Sequence, residues 1–301
     1  MAVYNYAEQF MRELMQKYSR ELTSYDLENS NPQVKFINAQ TIKLPTITVS
    51  GYKDHNRGTL GFNAGSLSNE WTAEKLTHDR DIEFFIDPMD VDETNLTVEI
   101  ANVHNIFEAE QAIPEKDSYR YSKLYTDAKK YSSNGAVVDN TALTATNILE
   151  WFDTQMAKMD DEGVPSEGRI LYATPTMNKL LKNAEGLSRT IRVDQNTGNV
   201  DRNVYSLDDV NIKVVPSARM KTKYDFSNGC VPAGDAKQIN LILIHPSCQV
   251  TRSKYSFIKV YTPGHDSRTG DNYLYQNRSY GDTFLIKNKA CGIAINAEQE
   301  D

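Results

Sequence analysis

The sequence of 301 residues has little of what metal sites and disulfide frameworks require. Its three cysteines, Cys230, Cys248 and Cys291, are widely spaced and form no Cys-x-x-Cys or Cys/His pattern of the kind that binds zinc. An odd number of scattered cysteines favours reduced thiols and folding in the cytosol. The cysteine pattern therefore predicts neither a zinc site nor a disulfide-stabilised secreted domain.

Long apolar runs are missing as well. The first residues, MAVYNYAEQFMREL, lack the basic start and the uninterrupted apolar stretch of a signal peptide. No segment approaches the ~18 consecutive apolar residues of a membrane-spanning helix. We therefore expect no secretion signal and no membrane partner.

Positive charge is scarce relative to negative charge. The chain has 33 Lys and Arg against 41 Asp and Glu, which gives a formal net charge of -8. Its densest basic stretch contains only Arg219, Lys221 and Lys223. Binding to DNA without sequence preference depends on clustered cations. The charge balance makes the chain a poor candidate for binding DNA without sequence preference, and favours only enclosure of, or local contact with, nucleic acid.

Motifs for phosphate binding and nucleophilic catalysis are incomplete. The run GTLGFNAG (58–65) lacks the Gly-Lys-Ser/Thr ending of a phosphate loop and is more typical of a mobile loop tip. DQNTGN (194–199) departs from the calcium-loop pattern and is better explained by a hairpin turn. His245 precedes Pro-Ser without the G-x-S-x-G turn of a serine hydrolase. We expect no enzymatic activity and no cofactor.

Two acidic or histidine-containing groups remain as weaker candidates for a metal site. His104 and Glu108 lie one helical turn apart, but a carboxylate–histidine centre needs a second such pair, so an ordinary pair on a helix surface is favoured. The acidic run DPMDVDET (87–94) is better explained by a helix start, where the helix dipole favours carboxylates. Its acidic residues are Asp87, Asp90, Asp92 and Glu93.

Hydrophobic periodicity divides the first third of the chain into an arm and a ribbon. Residues 1–40 contain a thin helical stripe over Ala7–Leu22 and then become polar. The runs TIKLPTITVSG and EKLTHDRDIEFFID alternate in the manner of strands, with Pro45 at a bulge or edge position. Residues 41–87 are therefore predicted to form a long two-stranded ribbon with a Gly- and Asn-rich tip. Such a ribbon is marginal alone and must lie on its own chain or on a neighbour.

A long helix is predicted from Glu93 to Tyr131, spanning ~58 Å, with a kink at Pro114. Its second half, AIPEKDSYRYSKLY (112–125), mixes charged residues and tyrosines. Stacking on bases would be possible for such residues, but acids and bases alternate in near-equal number, which favours a helix contacted on several faces. Local pairs at i+3 or i+4 spacing are expected there. The residues singled out in this half are Glu115, Asp117, Tyr119, Arg120 and Tyr121.

The remaining chain alternates helices and strands. Residues 136–253 are predicted to contain a helix over Thr141–Met159, a strand over Arg169–Ala173, a second helix over Thr176–Asn183, a hairpin turn at 196–199, and strands in NIKVVPS and INLILIHPS. Three more strands are predicted in residues 254–297. The fold class is therefore α+β, with a mixed α/β region.

Several strings in this order resemble the major capsid proteins of tailed phages, in the Hong Kong 97 fold family. They are LTHDRDIEFFIDPMDVDETN (76–95), IPEKDSYRYSKLY (113–125), IKVVPSARMKT (212–222), LILIHPSCQV (241–250) and YGDTFLIKNKACGI (280–293). The resemblance covers most of residues 40–295.

The resemblance implies a role for each part of the chain. Residues 1–40 would be an N-terminal arm, and 41–87 an extended β-ribbon loop lying across a neighbouring subunit. Residues 88–135 and 254–301 would form a peripheral domain around the spine helix, and 136–253 an α/β axial domain at the five- and six-fold axes. Contacts between subunits would involve the loop residues Tyr52, Lys53, Arg57, Phe62 and Trp71.

The resemblance also implies partners and a location. Copies of the chain would form pentamers and hexamers of an icosahedral shell in the virion, assembled in the host bacterial cytoplasm around double-stranded DNA. A portal and a possible decoration protein would be further partners. Some relatives carry a long N-terminal scaffolding region, and because the chain starts ~40 residues before the ribbon, the resemblance implies either a separate scaffolding protein or none.

Two points stay open at this stage. Some relatives join subunits through a Lys–Asn bond, for which Lys53 and Asn277 are candidates, but non-covalent contacts are expected. Two other classes also remain: an encapsulin-type cellular compartment of the same fold, and a hydrolase or metal enzyme built on the α/β region.

Overall fold

The computed structural model describes residues 21–28, 35–36, 41–55, 62–89, 100–184, 204, 206–264 and 270–299. The chain divides into two units, one of residues 31–77 and one of residues 1–30 with 78–301. No helix within the described ranges is long and apolar enough to cross a membrane.

The smaller unit is a three-stranded antiparallel sheet of β1 (Lys35–Phe36), β2 (Thr41–Val49) and β3 (Leu67–Lys75), in the order β1-β2-β3. Pro45 stands opposite Trp71 of β3, and β1 pairs with Ile42 and Lys43. The residues that precede β1 lie outside the described ranges, so the expected bulge or edge position of Pro45 stays a prediction.

The prediction of the ribbon's second strand was wrong. The strand that returns along β2 is β3, whereas β4 (His78–Ile86) belongs to the larger unit and pairs with a C-terminal strand. The alternation of Ile82–Ile86 is real, since exposed and shielded residues alternate along β4. Period-2 alternation identifies a half-buried strand but not the strand that pairs with it.

The described part of the larger unit contains several helices, a six-stranded sheet, a three-stranded sheet that includes β4, and a two-stranded sheet. The helical elements are α1 (Ile100–Phe107), a π-helical turn (Glu108–Ala112), α2 (Ile113–Lys130), α3 (Ile148–Asp161) and α4 (Pro175–Lys182). The strands are β5 (Val137–Asp139), β6 (Ile170–Ala173), β7 (Ser206–Leu207), β8 (Val210–Val214), β9 (Tyr224–Asp225), β10 (Val231–Pro232), β11 (Ile239–Ile244), β12 (Gln249–Tyr261), β13 (Tyr273–Leu285) and β14 (Ile293–Ala297).

The long helix runs without interruption through residues 100–130, about 46 Å at ~1.5 Å per residue. Its expected start near Glu93 lies outside the described residues. The π-helical turn ends two residues before Pro114, whose missing N–H cannot bond to the carbonyl four residues earlier. The wider turn accommodates the proline, so the helix continues through it as expected.

Helix α3 begins at Ile148, seven residues after the predicted start. The preceding residues form side-chain turns instead: Asn147 accepts a hydrogen bond from the N–H of Thr144 (2.7 Å) and donates one to the carbonyl of Ala142 (3.0 Å). Thr and Asn side chains compete with helical bonding in this way. The predicted hairpin turn at 196–199 lies outside the described residues.

The central sheet has six strands in the order β5-β14-β11-β6-β8-β7. The pairs β5/β14 and β6/β8 are parallel, and the others are antiparallel. Strand β14, expected to return to the peripheral domain, lies within this sheet. The second sheet has the antiparallel order β12-β13-β4, and the two-stranded sheet pairs β9 with β10.

Alternating side chains of the central sheet form two cores on its two faces. On one face, Ile170 and Tyr172 of β6 belong to a buried cluster with Tyr121, Leu124 and other residues of α2. On the opposite face, Leu171 and Ala173 belong to a cluster with residues of α3 and α4. The sheet is therefore covered by helices on both faces, as its nearly continuous apolar strands predict.

Candidate functional site

The tip of the ribbon is closed by its own hydrogen bonds. The N–H of Ser50 donates to the carbonyl of Ser66 (3.0 Å), and the N–H of Ser66 donates to the hydroxyl of Ser50 (2.9 Å). Farther out, the Lys53 amine donates to the carbonyl of Ala64 (3.3 Å), and the Asn63 amide donates to that of Asp54 (2.8 Å). The two sides of the loop are thus joined on both sides of Lys53.

Apolar side chains on this closed tip are uncovered. Tyr52 and Phe62, two of the predicted contact residues, are fully exposed. Ile47, Val49 and Leu67 are 66%, 69% and 74% exposed. Of the other predicted contact residues, Arg57 lies outside the described residues, and Trp71 is placed by its backbone in β3. A group of exposed apolar residues marks a surface suited to contact with another protein.

The second half of the long helix carries the predicted charged and tyrosine residues, and their strongest contacts are with distant parts of the chain. Asp117 is fully buried. One of its oxygens accepts from the N–H (3.0 Å) and hydroxyl (2.7 Å) of Ser24. The other accepts from the N–H (3.1 Å) and hydroxyl (2.7 Å) of Thr23 and from Nη1 of Arg219 (2.9 Å). A buried carboxylate needs this many donors to offset its lost hydration.

Arg120 and Tyr121 extend the same network. Nη1 of Arg120 donates to the Ser24 hydroxyl (2.8 Å), and Nη2 donates to Glu28 (2.5 Å). The hydroxyl of Tyr121 is hydrogen-bonded to that of Thr23 (3.0 Å). Tyr121 is completely buried, and this burial raises its pKa well above the ordinary value. The tyrosine therefore stays neutral and serves as a hydrogen-bonding group.

Glu115 and Tyr119 face the second sheet. Glu115 accepts a hydrogen bond from Nε of Arg80 on β4 (2.6 Å). The hydroxyl of Tyr119 donates to Asp282 of β13 (2.7 Å), and its ring stacks on that of His78. The helix is thus contacted on several faces, as predicted.

A local pair at i+4 spacing does occur on this helix, since Lys123 donates to Asp127 (2.7 Å). The hydrogen bonds described above for the four residues Glu115, Asp117, Tyr119 and Arg120 are instead with residues far away in the sequence, because the helix is surrounded by other elements that supply partners. Sequence reasoning did not identify Thr23, Ser24 or Arg219 as members of this network. Their one sequence signal is the Thr-Ser pair before a short turn, a pattern typical of helix starts in general.

The two residues considered as a weaker candidate for a metal site, His104 and Glu108, are hydrogen-bonded to other side chains of the chain. His104 and Glu108 do not form the expected surface pair: Nδ1 of His104 is hydrogen-bonded to the hydroxyl of Tyr275 (2.8 Å), and Glu108 accepts from the amide of Asn277 (2.7 Å). The same amide donates to Tyr275 (3.0 Å). Asn277 is nearly buried, and its amide nitrogen bonds to these two neighbours within its own chain.

The remaining polar motifs also have local partners. Asp87 accepts a hydrogen bond from the N–H of Met89 (2.8 Å), and the other acids of its run lie outside the described residues. His245 is hydrogen-bonded to Ser247 (2.7 Å) and to the carbonyl of Glu167 (3.1 Å), and burial lowers its pKa. Across the described part of the chain, no three His, Cys, Asp or Glu side chains converge as a metal site would require.

Comparison with known proteins relates the chain by fold and not by sequence. No protein-family model and no curated protein sequence matches it. A structure described as the capsid of the cyanophage P-SCSP1u matches over 98% of this chain and 94% of its own, with a TM-score of 0.71 and 12% identity. A structure from Mycobacterium phage Che8 matches over 98% of both chains, with a TM-score of 0.63 and 12% identity. One described as part of the mature capsid of bacteriophage PhiM1 matches over 97% and 91%, with a TM-score of 0.64 and 12% identity. The chain therefore has the α+β fold of phage capsid proteins.

Proposed function

We propose that this chain is the major capsid protein of a tailed phage, and that copies of it assemble into the icosahedral shell of the head. The observation that carries the proposal is the likeness of fold to the cyanophage capsid structure, which extends over 98% of this chain. Because it includes the ribbon as well as the packed unit, the likeness is not confined to a common α/β core. The encapsulin-type alternative is not favoured, since the structures that match well come from phages.

The ribbon tip supports an assembly role. Among its described residues, Tyr52 and Phe62 have fully exposed side chains. Burying each such ring between subunits would contribute roughly 1.5–3 kcal/mol. We assign the contact to Tyr52, Lys53, Arg57, Phe62 and Trp71, with the tip lying on a neighbouring subunit. A closed shell then needs many copies of one such heterologous contact.

The larger unit supplies the parts expected of a shell subunit. We assign the long helix and the β12-β13-β4 sheet to a peripheral part. The axial part is residues 136–253, to which we add β14 because it pairs with β11 in the central sheet. In this assignment the axial parts of five or six copies meet at the symmetry axes.

Further partners follow from the same proposal. The shell would enclose double-stranded DNA without reading its sequence, and the net charge of -8 suits a wall that does not hold DNA tightly. A separate scaffolding protein, a portal and a decoration protein are proposed partners. The shell would be assembled in the host bacterial cytoplasm and remain in the virion. We assign the chain no catalytic step and no cofactor.

The first test is the size of the purified protein, measured by light scattering and negative-stain microscopy. Closed particles or rings of five and six subunits are expected, with the scaffolding protein added if the chain alone does not assemble. A protein that remains monomeric at every concentration and salt, also with scaffold, would overturn the proposal.

A deletion separates assembly from folding. Replacing residues 51–65 by Asn-Gly joins Ser50 to Ser66 through a two-residue hairpin turn, which is compatible with the existing hydrogen bond between these two residues, so β2 and β3 keep their pairing. The larger unit should unfold at the same temperature as in the parent chain while assembly fails. Normal shells from this variant would remove the ribbon tip from the assembly contact. A broader deletion of 51–71 would also remove half of β3 and is the less clean version.

A further inference from the structure

Residues 21–28 lie in a groove formed by distant parts of the same unit. We call these residues the docking segment, and we call the groove formed by α2, β8, β12 and the turn Ser217–Arg219 the docking groove. Within the segment, a single 3-10 turn (Tyr25–Leu27) is closed by the bonds Leu27 N–H to Ser24 O (3.1 Å) and Glu28 N–H to Tyr25 O (2.9 Å). The segment is therefore a short, self-folded turn.

The start of this turn is capped from outside. Its N-cap residue, Ser24, makes no side-chain capping bond. Instead the carboxylate of Asp117 accepts both N–H groups and both hydroxyls of Thr23 and Ser24. Successive N–H groups that converge on one anion form a strong and directional site. Four of the five hydrogen bonds described for Asp117 thus depend on the docking segment.

The rest of the segment is recognised residue by residue. Arg219 donates to the carbonyl of Glu21 (3.3 Å), and Gln249 donates to that of Leu27 (2.6 Å). Arg120 binds Glu28, and Lys213 forms an ion pair with Asp26. Leu27 itself is fully buried, and Glu28 forms an isolated parallel bridge with Thr251 of β12. The groove thus reads two hydroxyl residues, a leucine and two acids in a fixed order.

All the groove residues in these contacts are at least 92 positions away from the segment in sequence, the smallest separation being that between Glu28 and Arg120. Such contacts do not depend on which copy of the chain supplies the segment. Exchange of an identical element between copies keeps every contact and changes only the connection. In an assembly, a neighbouring copy would also be present at high effective concentration.

We propose that the docking groove is a peptide-binding site for the sequence Leu-Thr-Ser-Tyr-Asp-Leu-Glu (22–28), which can be filled by the segment of a second copy of this chain as well as by its own. Arms would then join subunits by exchange. The inference concerns binding by the unassembled chain, so it stands or falls separately from the shell function.

The test uses the full-length chain with its own segment disabled by Ser24→Pro and Leu27→Asp. The first change removes an N–H and a hydroxyl that Asp117 accepts, and the second places a charge in the core. A fluorescent peptide of residues 20–30 (RELTSYDLENS) is added to the unassembled fraction, and its anisotropy is measured. Saturable binding is expected, and Asp117→Asn added to the chain should weaken it by at least about tenfold.

A matched control carries Asp153→Asn on the exposed side of α3, which should leave peptide binding unchanged. A second peptide with Thr23→Ala and Ser24→Ala should bind more weakly than the native one. No binding up to about 1 mM peptide by a folded chain, or binding that ignores Asp117→Asn, would overturn the proposal.

A measurement on the unmodified chain tests the proposal even if the Ser24→Pro, Leu27→Asp variant does not fold. Amide hydrogen exchange of residues 23–28 is compared with that of α2 residues such as Leu124. A segment that docks and undocks should exchange through a local opening, faster than the buried part of α2. Exchange of both only through global unfolding would show that the segment is an inseparable part of the core, and the proposal would fail.

Discussion

The imidazole ring of His78 stacks on the phenol ring of Tyr119, with ring centroids 3.8 Å apart and planes inclined by 19°. Phe226 contacts both rings edge-on at 5.6 Å. Burial, followed by the nearby Arg80 and Arg120 cations, lowers the pKa of His78 from 6.5 to about 4, against a small opposing effect of Asp79. The histidine that joins β4 to the long helix is therefore neutral near pH 7.

A first prediction concerns stability between pH 7 and pH 5. Above pH 6.5 the imidazole is neutral in both the folded and the unfolded chain and has no effect. As the pH falls below 6.5, the unfolded chain takes up a proton that the folded chain does not, so the free energy of unfolding falls until about pH 4. By pH 5 the loss from His78 should be about 2 kcal/mol. Urea denaturation at the two pH values measures it.

His78→Phe is the control for this prediction. Phenylalanine keeps a ring against Tyr119 but does not titrate, so the variant should lose about 2 kcal/mol less than the parent chain between pH 7 and pH 5. Glu115, whose carboxylate is 3.8 Å from Nε2 of His78, is unchanged in the variant. An identical pH dependence in both proteins would show that His78 is protonated in the folded chain.

A second prediction concerns Asp117. Asp117→Asn keeps the size of the side chain but replaces one carboxylate oxygen by an NH₂ group. This leaves at least two of the converging donors without an acceptor and removes the negative charge beside the Arg219 cation. We expect the free energy of unfolding to fall by about 3 kcal/mol in urea denaturation. Asp153→Asn on α3 should change it by less than about 0.5 kcal/mol. Equal effects of the two substitutions would contradict the assigned network.

A third prediction concerns Gly281, which stands opposite a bulge in β12 where the pairing shifts between Ser253 and Tyr255. A Cβ atom at Gly281 would lie 2.7 Å from the carbonyl oxygen of Arg252 and 3.0 Å from the Cα of Ser253. Gly281→Ala must push the two strands apart and should cost roughly 1–3 kcal/mol, measured by thermal unfolding. At Gly234 nothing lies within 4 Å of an added Cβ, so Gly234→Ala should not destabilise.

A fourth prediction separates assembly from stability at single residues. Tyr52→Ser and Phe62→Ser remove fully exposed rings, so unfolding of the larger unit should change by less than about 0.5 kcal/mol. The fraction of protein in shells, measured by light scattering, should fall in both variants. Val231→Ser, at a half-exposed apolar residue of β10, is the control and should assemble normally. Unaltered assembly of the two tip variants would exclude these rings from the contact.

A fifth prediction concerns covalent joining of subunits. Because the Asn277 amide is held by Glu108 and Tyr275 and the Lys53 amine by the Ala64 carbonyl, we expect non-covalent shells. Shells boiled in detergent should run on a denaturing gel as a single species near 34.1 kDa. A ladder of multiples that disappears in a Lys53→Arg variant would reverse this expectation.

Much of the architecture could be predicted from hydrophobic periodicity. The helix over residues 113–130, the buried strand Ile239–Ile244 and the strand at Ile170–Ala173 all lie where the apolar spacing indicated. Element ends were less accurate where polar side chains intervened, as at Asn147 before α3. Periodicity reports which face of an element is buried, a property that each segment carries by itself.

The site could be predicted only in part. The sequence predicted that the charged and tyrosine residues of α2 lie on a helix that is contacted on several faces. It did not predict their partners, which are Thr23, Ser24, Arg80 and Arg219. Exposure of Tyr52 and Phe62 agrees with the assembly role expected of the tip, and the contact itself stays a prediction. The spacing of residues within 113–125 carries no information about which distant residues their side chains will contact.

The sequence by itself determined the α+β class, the order of the main elements and the buried faces, because these follow from local spacing of apolar residues. Only the tertiary structure decided that β4 pairs with β13 instead of closing the ribbon, and that Asp117 is satisfied by Thr23, Ser24 and Arg219. The edge of a strand can pair with any other strand, and a buried carboxylate can accept hydrogen bonds from any suitably placed N–H or O–H group. The choice among them is made by packing of the whole unit, in which every buried donor and acceptor must be satisfied at once.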